Sequence, residues 1–381
     1  MTLTGFVAKS AFRNKRRSLL TVASIAFSLL LLCIMLCVWR SFYIDKGAPD
    51  SALRIMTRHK VSLANFLPIY YRDKIRAIPG VVHVVPMTWF GGTYIDDKPE
   101  NFFAQFATDP DEYFDVAADK NMPADQLAAW KRDRAGCVVD SNLARKHNWK
   151  VGDHIILQGT IFPANLDLTL RGIYTIDPPN SNLYFHTKYL EESVDWFKDT
   201  AGFYFIRVDT AEHMPIAARA IDDMFHGSPV PTKSESEQAF KADFIASLGN
   251  VKAFILSICG AVVFTTLLVC ANTMAMSIRE RTREVAVLRT LGFTRESILK
   301  LLMSESIAIA LIGGLLGVAL ASVAILFMAR PGVGLPVSMH MTAATAAVAM
   351  AVATFVGIVS GLIPSYRASN LGIVDALRYI G

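Results

Sequence analysis

The side chains of this sequence that could most readily do chemistry are its histidines and cysteines. Seven of the eight histidines fall between residues 59 and 226, but none stands in an H-E-x-x-H pattern or another paired metal-ligand spacing. A serine hydrolase would need a G-x-S-x-G turn, and the sequence has none. Cys137 opens an apolar strand pattern rather than a helix, which does not favour an activated thiolate. These patterns argue against a catalytic domain.

A nucleotide site is missing as well. The sequence has no G-x-x-x-x-G-K-[ST] motif, and its glycine cluster at 313–317, GGLLG, has no lysine to reach a phosphate. We therefore expect no cofactor in this chain. If the protein uses ATP, the ATP must be hydrolysed by a partner.

The elements that would carry any activity are dominated by four long apolar runs, at 19–38, 253–278, 306–329 and 343–363. None of them contains Asp, Glu, Lys or Arg, and each is long enough as a helix to cross a ~30 Å hydrocarbon layer. The first run is too long for a cleaved signal sequence and is followed by no small-x-small site. The predicted fold class is an integral membrane α-helical protein with four transmembrane helices, at 18–40, 253–278, 301–329 and 343–363.

Basic residues near these runs predict the orientation. Residues 1–17 carry five of them and no acid: Lys9, Arg13, Lys15, Arg16 and Arg17. The loop 279–300 is also rich in arginine, whereas the short outer loop 330–342 has one basic residue. By the positive-inside rule, both termini and the 279–300 loop are expected to face the cytoplasm. We expect the protein to lie in the inner membrane of the cell. Residues 1–17 suit either a helix lying in the interface or a disordered basic anchor.

The long segment 41–248 then lies outside, inserted between helices 1 and 2. It contains 22 Lys and Arg and 28 Asp and Glu, so it is negatively charged, while the rest of the chain is positively charged. The overall charge of +5 is therefore the sum of two oppositely charged parts and does not indicate nucleic-acid binding. Interleaved helix and strand patterns predict an extracytoplasmic α+β domain. We expect helices at 62–78, 122–132 and 211–225 and strands at 82–86, 102–108, 137–140 and 203–209. A hairpin is expected from 151–162 and 166–176.

Three further expectations concern the organisation of this segment. Ser141 is a plausible cap for the helix that follows the strand 137–140. The domain would have two lobes, with a break near 158–200. Residues 230–250 would form a helical stalk continuous with the second transmembrane helix.

The most distinctive stretch is 276–294, MSIRERTREVAVLRTLGFT. Four arginines alternate with two glutamates, Val285, Val287 and Leu288 add apolar contacts, and Gly292 should end the helix. A polybasic loop of this kind could bind anionic lipid. The interspersed acidic and apolar residues favour docking into a groove on a partner protein instead.

Other residues of the apolar helices are best explained by structure. Glu305 lies close to Lys300 and the cytoplasmic end, where it can reach headgroups or pair with an arginine of the preceding loop, so an ion relay is not indicated. Small residues at helical spacing let helix backbones approach closely. We assign that packing role to Gly313, Gly314 and Gly317 in the third helix and to Gly357 and Gly361 in the fourth.

Several segments together resemble the permeases of the MacB/LolC/FtsX superfamily of ABC transporters. SIRERTREVAVLRTLGFT with ESIAIALIGGLLGVALA is similar to the permease signature, and PSYRASNLGIVDALR (364–378) to the closing cytoplasmic tail. FRNKRRSLLTVASI (12–25) resembles the entry to the first helix. VVDSNLARKHNWKVGDHIIL (138–157) resembles the outer domain of MacB-like members. One departure is Val285-Ala286, where many relatives have Ile-Gly.

The resemblance implies a mechanotransmission mechanism. The permease would form a homodimer or a related heterodimer, bind two copies of an ABC ATPase subunit that carries ATP and Mg, and pass the ATPase motion to the outer domains. The residues implied to couple to the ATPase are Arg279, Glu280, Arg281, Arg283, Glu284, Arg289 and Gly292, and the family's glutamate at the start of the third helix corresponds to Glu305.

Two functions follow from the resemblance. The first is a permease subunit that exports or extracts a lipid, lipoprotein, peptide or drug-like substrate at the outer face of the membrane, with a periplasmic adaptor or outer-membrane channel as further partners. The alternative is an FtsX-like transmitter that activates a periplasmic cell-wall hydrolase. A third hypothesis, a membrane-anchored enzyme, has no motif to support it.

Overall fold

The computed structural model describes residues 15–44, 49–177, 180–247, 249–328 and 340–370. The chain divides into two compact units: a helical unit of residues 1–41, 250–328 and 339–381, and a globular unit of residues 42–249 and 329–338. Three predicted segments fall largely outside the described residues. These are the interfacial helix up to residue 14, the outer loop up to residue 339 and the tail from residue 371.

The helices, numbered along the chain, are α1 (Lys15–Tyr43), α2 (Tyr71–Arg76), α3 (Tyr113–Val116), α4 (Ala124–Arg132), α5 (Ser141–His147), α6 (Thr187–Ser193), α7 (His213–Phe225), α8 (Glu237–Ser247), α9 (Val251–Glu280), α10 (Thr282–Thr290), α11 (Arg295–Met328) and α12 (Ala343–Ser369). The strands are β1 (Arg54–His59), β2 (Leu67–Pro68), β3 (Val81–Trp89), β4 (Ala104–Thr108), β5 (Gly136–Asp140), β6 (His154–Gln158), β7 (Asn165–Tyr174), β8 (Asn182–His186), β9 (Thr200–Ala201), β10 (Phe203–Val208) and β11 (Thr232–Ser236).

Four helices in the described part of the chain are long and apolar enough to cross a membrane: α1, α9, α11 and α12. This confirms the predicted fold class. The helices extend beyond the apolar runs into charged residues. For example, α9 continues to Glu280, and α11 already begins at Arg295. The last one continues through Pro364 to Ser369, although we placed the start of the tail at residue 364. Pro364 removes the backbone donor to the carbonyl of Ser360, but the helix continues past it to Ser369.

Glycines allow these helices to lie close together. A Cβ on Gly313 would come 2.7 Å from the side chain of Ile25 in α1, and one on Gly317 would come 2.8 Å from the carbonyl oxygen of Ala26. Three glycines line the contact of α11 with α12, where an added Cβ would lie 2.8 to 2.9 Å from a neighbouring Cβ: Gly314, Gly357 and Gly361. Separations under 3.0 Å leave no room for a side chain, so a larger residue would force the helices apart.

The globular unit is built on one mixed sheet of nine strands, in the order β11-β1-β10-β3-β4-β8-β5-β7-β6. All neighbours are antiparallel except β4 with β8 and β5 with β7. The predicted hairpin is confirmed, since β6 and β7 pair antiparallel from His154 with Thr169 to Gln158 with Asn165. The strands β2 and β9 form a separate two-stranded pair.

Helices cover both faces of the sheet around β1 and β10. Successive side chains of a strand point to opposite faces. Ile55 and Ile206 accordingly lie in one apolar cluster with α2 and α7, whereas Met56 and Phe205 lie in another with α3 and α4. A third cluster fills the space beside β5, β6, β7 and β8. The segment 158–200, where we placed a break between lobes, contributes β7 and β8 to the continuous sheet; the two-lobed division stays a prediction.

Two local predictions in the globular unit were wrong. The helix expected at 62–78 begins only at Tyr71, because Leu67 and Pro68 form β2 and pair with β9. The cap of α5 is Asp140 rather than Ser141: its side chain accepts a hydrogen bond of 3.0 Å from the backbone N–H of Asn142. A carboxylate at this position satisfies a helix donor and suits the positive end of the helix dipole.

The stalk expected at 230–250 is not one continuous helix. Its first part is β11, which pairs with β1 at the edge of the sheet. The following helix, α8, ends at Ser247, and Gly249 has a left-handed φ of 118° that interrupts the helix. The side chain of Asn250 then caps α9 by accepting from the N–H of Ala253. The second transmembrane helix therefore starts anew.

Charge pairs hold α8 on the sheet. Glu237, its first residue, lies 2.8 Å from Nε of Arg54 in β1, and Asp243 accepts a 3.0 Å hydrogen bond from Arg58 of the same strand. Arg54 also makes a 2.6 Å ion pair with Asp119. Arg54 is only 3% exposed, and these carboxylates compensate its positive charge inside the fold.

Candidate coupling site

The helix expected at 276–294 is two helices that meet at Arg281. The first is the end of α9 and the second is α10, and Arg281 between them has φ −112° and ψ 9°. The hydroxyl of Thr282 donates to the carbonyl oxygens of Ile278 and Arg279, at 3.3 and 3.1 Å. A side chain that bonds the backbone in this way competes with regular helix, which explains part of the break.

The rest of the explanation is the ion pair between Arg281 and Glu305. Nη1 of Arg281 donates to Oε2 of Glu305 over 2.7 Å, and the two side chains are 11% and 6% exposed. Of the two roles we considered for Glu305, headgroup contact and pairing with a loop arginine, the structure shows the second. The guanidinium of Arg281 is thus directed into the chain and ties the start of α10 to α11. The coupling role that the resemblance implies for Arg281 stays a prediction.

A second ion pair joins the neighbouring residue to the first helix. Nη1 of Arg17 in α1 donates to Oε2 of Glu280 over 2.7 Å. Glu280 is half-exposed in this pair, with 52% of its side chain accessible. Arg279 precedes it as an exposed residue in the last turn of α9, and the side chain of Arg283 lies outside the described part of the chain. Both ends of the break at Arg281 are thus tied to other helices.

The predicted stop at Gly292 is present and has a well-defined geometry. The N–H of Phe293 bonds to the carbonyl of Leu288 and the N–H of Gly292 to that of Arg289, both at 3.1 Å. These two bonds form a Schellman motif, and Gly292 adopts the φ of 94° that the motif requires at this position. A new helix, α11, starts three residues later, with the hydroxyl of Thr294 accepting from the N–H of Ser297.

One side of α10 is buried in the helical unit. Val285 and Ala286 are 4% and 1% exposed. Val285 belongs to an apolar cluster whose other buried members come from the ends of three long helices: Met274 and Ile278 of α9, Ile298 and Leu302 of α11, and Ala368 of α12. Ala286, at a departure from the family pattern, is therefore a buried residue of this side.

The other side of α10 is exposed and apolar at its end. Val287, Leu291 and Phe293 are 48%, 71% and 50% exposed. We name these three residues the apolar tip. Of the three, only Val287 was predicted from the sequence. Leu291 and Phe293 were missed. They lie on either side of Gly292, where the helix stops, and a chain that turns away from a helix exposes the side chains at the turn. Two large apolar residues at this point were therefore a signal of an exposed apolar surface. Glu284 is exposed nearby, and Arg289 is half-buried.

Two potentially reactive side chains of the globular unit, Cys137 and His186, are buried. Within the described residues, no group of three or more His, Cys, Asp and Glu side chains could hold a metal ion. Cys137 is fully buried, and burial raises the pKa of its thiol, so it stays protonated. His186 is also buried, which lowers its pKa, and its Nε2 lies 2.8 Å from the carbonyl of Trp130. Both are part of the core.

Lys120 of this unit also has a strongly shifted pKa. Burial lowers the pKa of Lys120 to about 8, and the neighbouring Asp119 only partly offsets this effect. The ammonium of Lys120 lies 5.3 Å above the ring of Tyr113. This cation–π contact and the Arg54–Asp119 pair place Lys120 in a structural cluster under α8.

Comparison with known families agrees with this architecture. The family model of the MacB-like periplasmic core domain matches residues 18–224, and that of the FtsX-like permease C-terminal domain matches residues 256–373. A membrane unit of apolar helices and an α+β unit inserted after its first helix define a permease component of ABC transporters. The chain belongs to the MacB/FtsX-like family of such permeases.

Curated relatives match over part of their length. The chain is 32% identical over 169 residues to the uncharacterized ABC transporter permease YknZ of Bacillus subtilis, which is 43% of this chain and 40% of that protein. It is 34% identical over 132 residues to the macrolide export ATP-binding/permease protein MacB of Rhodopirellula baltica, which is 35% of this chain and 19% of that protein. The chain thus spans less than half the length of these relatives.

Two solved structures are similar to the globular unit at a low level. The extracellular domain of YknZ from Gram-positive bacteria has a TM-score of 0.34 and 15% identity, covering 48% of this chain and all of that one. The periplasmic region of MacB from Actinobacillus actinomycetemcomitans has a TM-score of 0.38 and 12% identity, covering 50% of this chain and 92% of that one. These scores are too low to carry a conclusion about function.

Proposed function

We propose that this chain is the permease subunit that converts ATP hydrolysis on a separate ABC ATPase subunit into conformational work outside the membrane. The work would export or extract a lipid, lipoprotein, peptide or drug-like substrate. The chain itself would hydrolyse nothing, and ATP and Mg would bind to the ATPase. The observation that carries the proposal is the two-sided character of α10, buried on one side and apolar and exposed on the other.

The buried side of α10 makes it a mechanical connection. Val285 packs against α9, α11 and α12, and the Arg281–Glu305 pair adds a charged contact with α11. Packed interfaces of this kind move as rigid bodies rather than deforming continuously. A force on α10 would therefore move the ends of the transmembrane helices.

The exposed side is suited to a protein partner. The apolar tip offers three large side chains, and the exposed Glu284 lies one helical turn before Val287. Interfaces commonly combine an apolar centre with a polar rim, and most of the binding energy comes from a few central residues. Leu291, the most exposed of the three, is the best candidate for such a central anchor.

The proposed arrangement places this surface in the cytoplasm. The arginine-rich loop and the basic N-terminal segment face inwards in the inner membrane, with both termini cytoplasmic, and the globular unit faces outwards. Two ATPase subunits would serve two permease copies, either identical or related. Membrane lipid surrounds the helices, and a periplasmic adaptor or outer-membrane channel would receive a substrate outside.

Purification of the tagged full-length chain from its own membranes tests this function. The wild-type complex should contain an ABC ATPase and hydrolyse ATP. A variant with Leu291→Ser and Phe293→Ser should lose most of the ATPase while inserting normally, because it lacks the apolar anchors. Val61→Ser, which changes a 77% exposed valine of the globular unit, is the matched control and should retain the ATPase. A wild-type preparation without any ATPase would refute the function.

A further inference from the structure

A cavity lies between the four long helices, at the end of the helical unit that carries α10. Its walls come from α1, α9, α11 and α12, all within one copy of the chain. The centres of water molecules have about 30 Å³ available in it. A buried site needs roughly 10–15 Å³ of such space for each water molecule, so this space suits about two of them or one small cation.

Residues with hydroxyl side chains line much of this cavity, and each of the four helices supplies at least one. They are Ser18, Thr21, Thr273, Ser277, Ser306 and Ser360. The hydroxyls of Thr21, Thr273 and Ser306 donate their proton to a backbone carbonyl oxygen, over 2.8 to 2.9 Å. A hydroxyl oxygen that has donated its proton can still accept hydrogen bonds. These walls therefore favour a ligand that donates.

Ser360 of α12 is a more specific sign of a ligand. It lines the cavity, and it is 3% exposed. Its hydroxyl has no hydrogen-bond partner among the described residues. Burying a hydroxyl without a partner is unfavourable, so a group within the cavity is the natural partner for it.

The charges around the cavity favour water over a cation as this ligand. The charged residues that line it are Arg17 and Glu305. Each is already in an ion pair of 2.7 Å, Arg17 with Glu280 and Glu305 with Arg281. A cation bound here would therefore add an uncompensated charge between apolar helices, which is costly. A water molecule donates two hydrogen bonds and adds no charge.

We propose that this cavity binds water molecules, which hydrogen-bond to Ser360 and link the hydroxyl-bearing sides of the four helices. Beside the apolar cluster around Val285, the helix ends then meet through hydrogen bonds that water mediates. Such bonds can exchange partners while the helices shift, which suits the end of the unit that contacts α10. The site does not depend on which protein binds α10.

Hydroxyl-radical footprinting of the purified full-length chain with a short X-ray pulse tests for this water. Radicals that form from bound water oxidise the side chains beside it, and methionine is readily oxidised. Met274 lines the cavity and is 5% exposed, and Met87, in an apolar cluster of the globular unit, is also 5% exposed. Met274 should be oxidised several-fold faster than Met87. Equal rates would show that the cavity is dry and would overturn the proposal.

Replacement of two buried serines of α12 tests whether the water uses Ser360. Ser360→Ala should lower the unfolding temperature, because it removes a hydrogen bond to water. Ser365→Ala is the matched control: its hydroxyl is also buried without a partner among the described residues, but it is not one of the residues that line the cavity. This change should leave the unfolding temperature equal or higher. The same result for Ser360→Ala would overturn the role of Ser360.

An exchange of the buffer cation tests the alternative occupant. Replacing sodium and potassium by N-methylglucamine should leave the unfolding temperature of the wild-type chain unchanged. A fall that sodium or potassium reverses would assign the cavity to a monovalent cation and overturn water as its ligand. None of these measurements needs an ATPase, so the water site can fail while the proposed function stands.

Discussion

Arg281 and Glu305 form a buried ion pair, 2.7 Å between Nη1 and Oε2, across 24 positions of sequence. The pair joins the point where α9 ends to the first turns of α11, so the short helix α10 is fixed at its start. It explains why Arg281 is directed away from the surface while Arg279 and Glu280 stay accessible.

Breaking this pair should be costly, because removing one partner leaves a buried charge uncompensated. Glu305→Gln should lower the free energy of unfolding by about 3–5 kcal/mol, and the double change Arg281→Met with Glu305→Met should recover most of it. Thermal unfolding of the purified chain in detergent measures both. Arg17→Gln, in the more exposed pair with Glu280, is the control and should cost at most ~1 kcal/mol. Equal losses in the two pairs would show that burial does not decide the effect.

Close helix contacts predict a graded response to glycine substitution. Gly317→Ala should destabilise the helical unit by about 1–3 kcal/mol, because the new methyl group would meet the backbone oxygen of Ala26. Gly260→Ala should cost nothing, since its surroundings are open and alanine favours helix. Comparing the unfolding temperatures of the two variants tests this contrast. A neutral Gly317→Ala would mean that α1 and α11 are farther apart than the structure shows.

The buried Lys120 predicts a pH dependence of stability. Its pKa is about 8 in the folded protein and 10.5 in an ordinary lysine, so above about pH 8 the unfolded chain binds more protons than the folded one. The free energy of unfolding should therefore rise by about 2 kcal/mol between about pH 7.5 and 9.5 from this group. Lys120→Gln should remove this rise, and Lys188→Gln, at an exposed position, should keep it. Denaturant titrations at several pH values measure how the free energy of unfolding changes with pH. If Lys120→Gln shows the same rise as the wild type, the rise does not come from Lys120.

The proposed orientation can be examined with a membrane-impermeant thiol reagent on the cysteine-free chain. A cysteine at Val61 should react in intact cells whose outer barrier is permeable, because the globular unit faces outwards. A cysteine at Thr290, exposed at the end of α10, should react only after the inner membrane is opened. The reverse pattern would place the arginine-rich loop outside and would be incompatible with an ATPase bound to it.

Much of the fold could be predicted because it depends on local patterns. An uncharged run long enough to cross a bilayer has few alternatives to a membrane helix, and the alternation in 151–176 left little alternative to a hairpin. β1 was missed because Arg54 and Arg58 make it look polar. Their charges are compensated by acids far away in sequence, such as Glu237 and Asp119, which no local pattern reveals.

Helix at 276–294 was predicted, but its division into a buried and an exposed side was not, and the coupling role of its residues stays a prediction. Residues 276–294 favour helix throughout, so the break at Arg281 could not be seen locally; it depends on a carboxylate in α11 and on the packing of Val285 against three helices. For the same reason the sequence could not tell which charged or apolar residues are buried. Gly292 was predictable because a helix stop with positive φ depends on glycine itself.

Photo-cross-linking from α10 in living cells tests the central claim most directly. A photoreactive amino acid at Leu291 should give an adduct with an ABC ATPase, identified by mass spectrometry, and the same group at Val61 should give none. Adducts at Leu291 that contain only lipid, or only proteins without an ATP-binding motif, would contradict the account, since α10 would then not be the surface on which ATP hydrolysis acts.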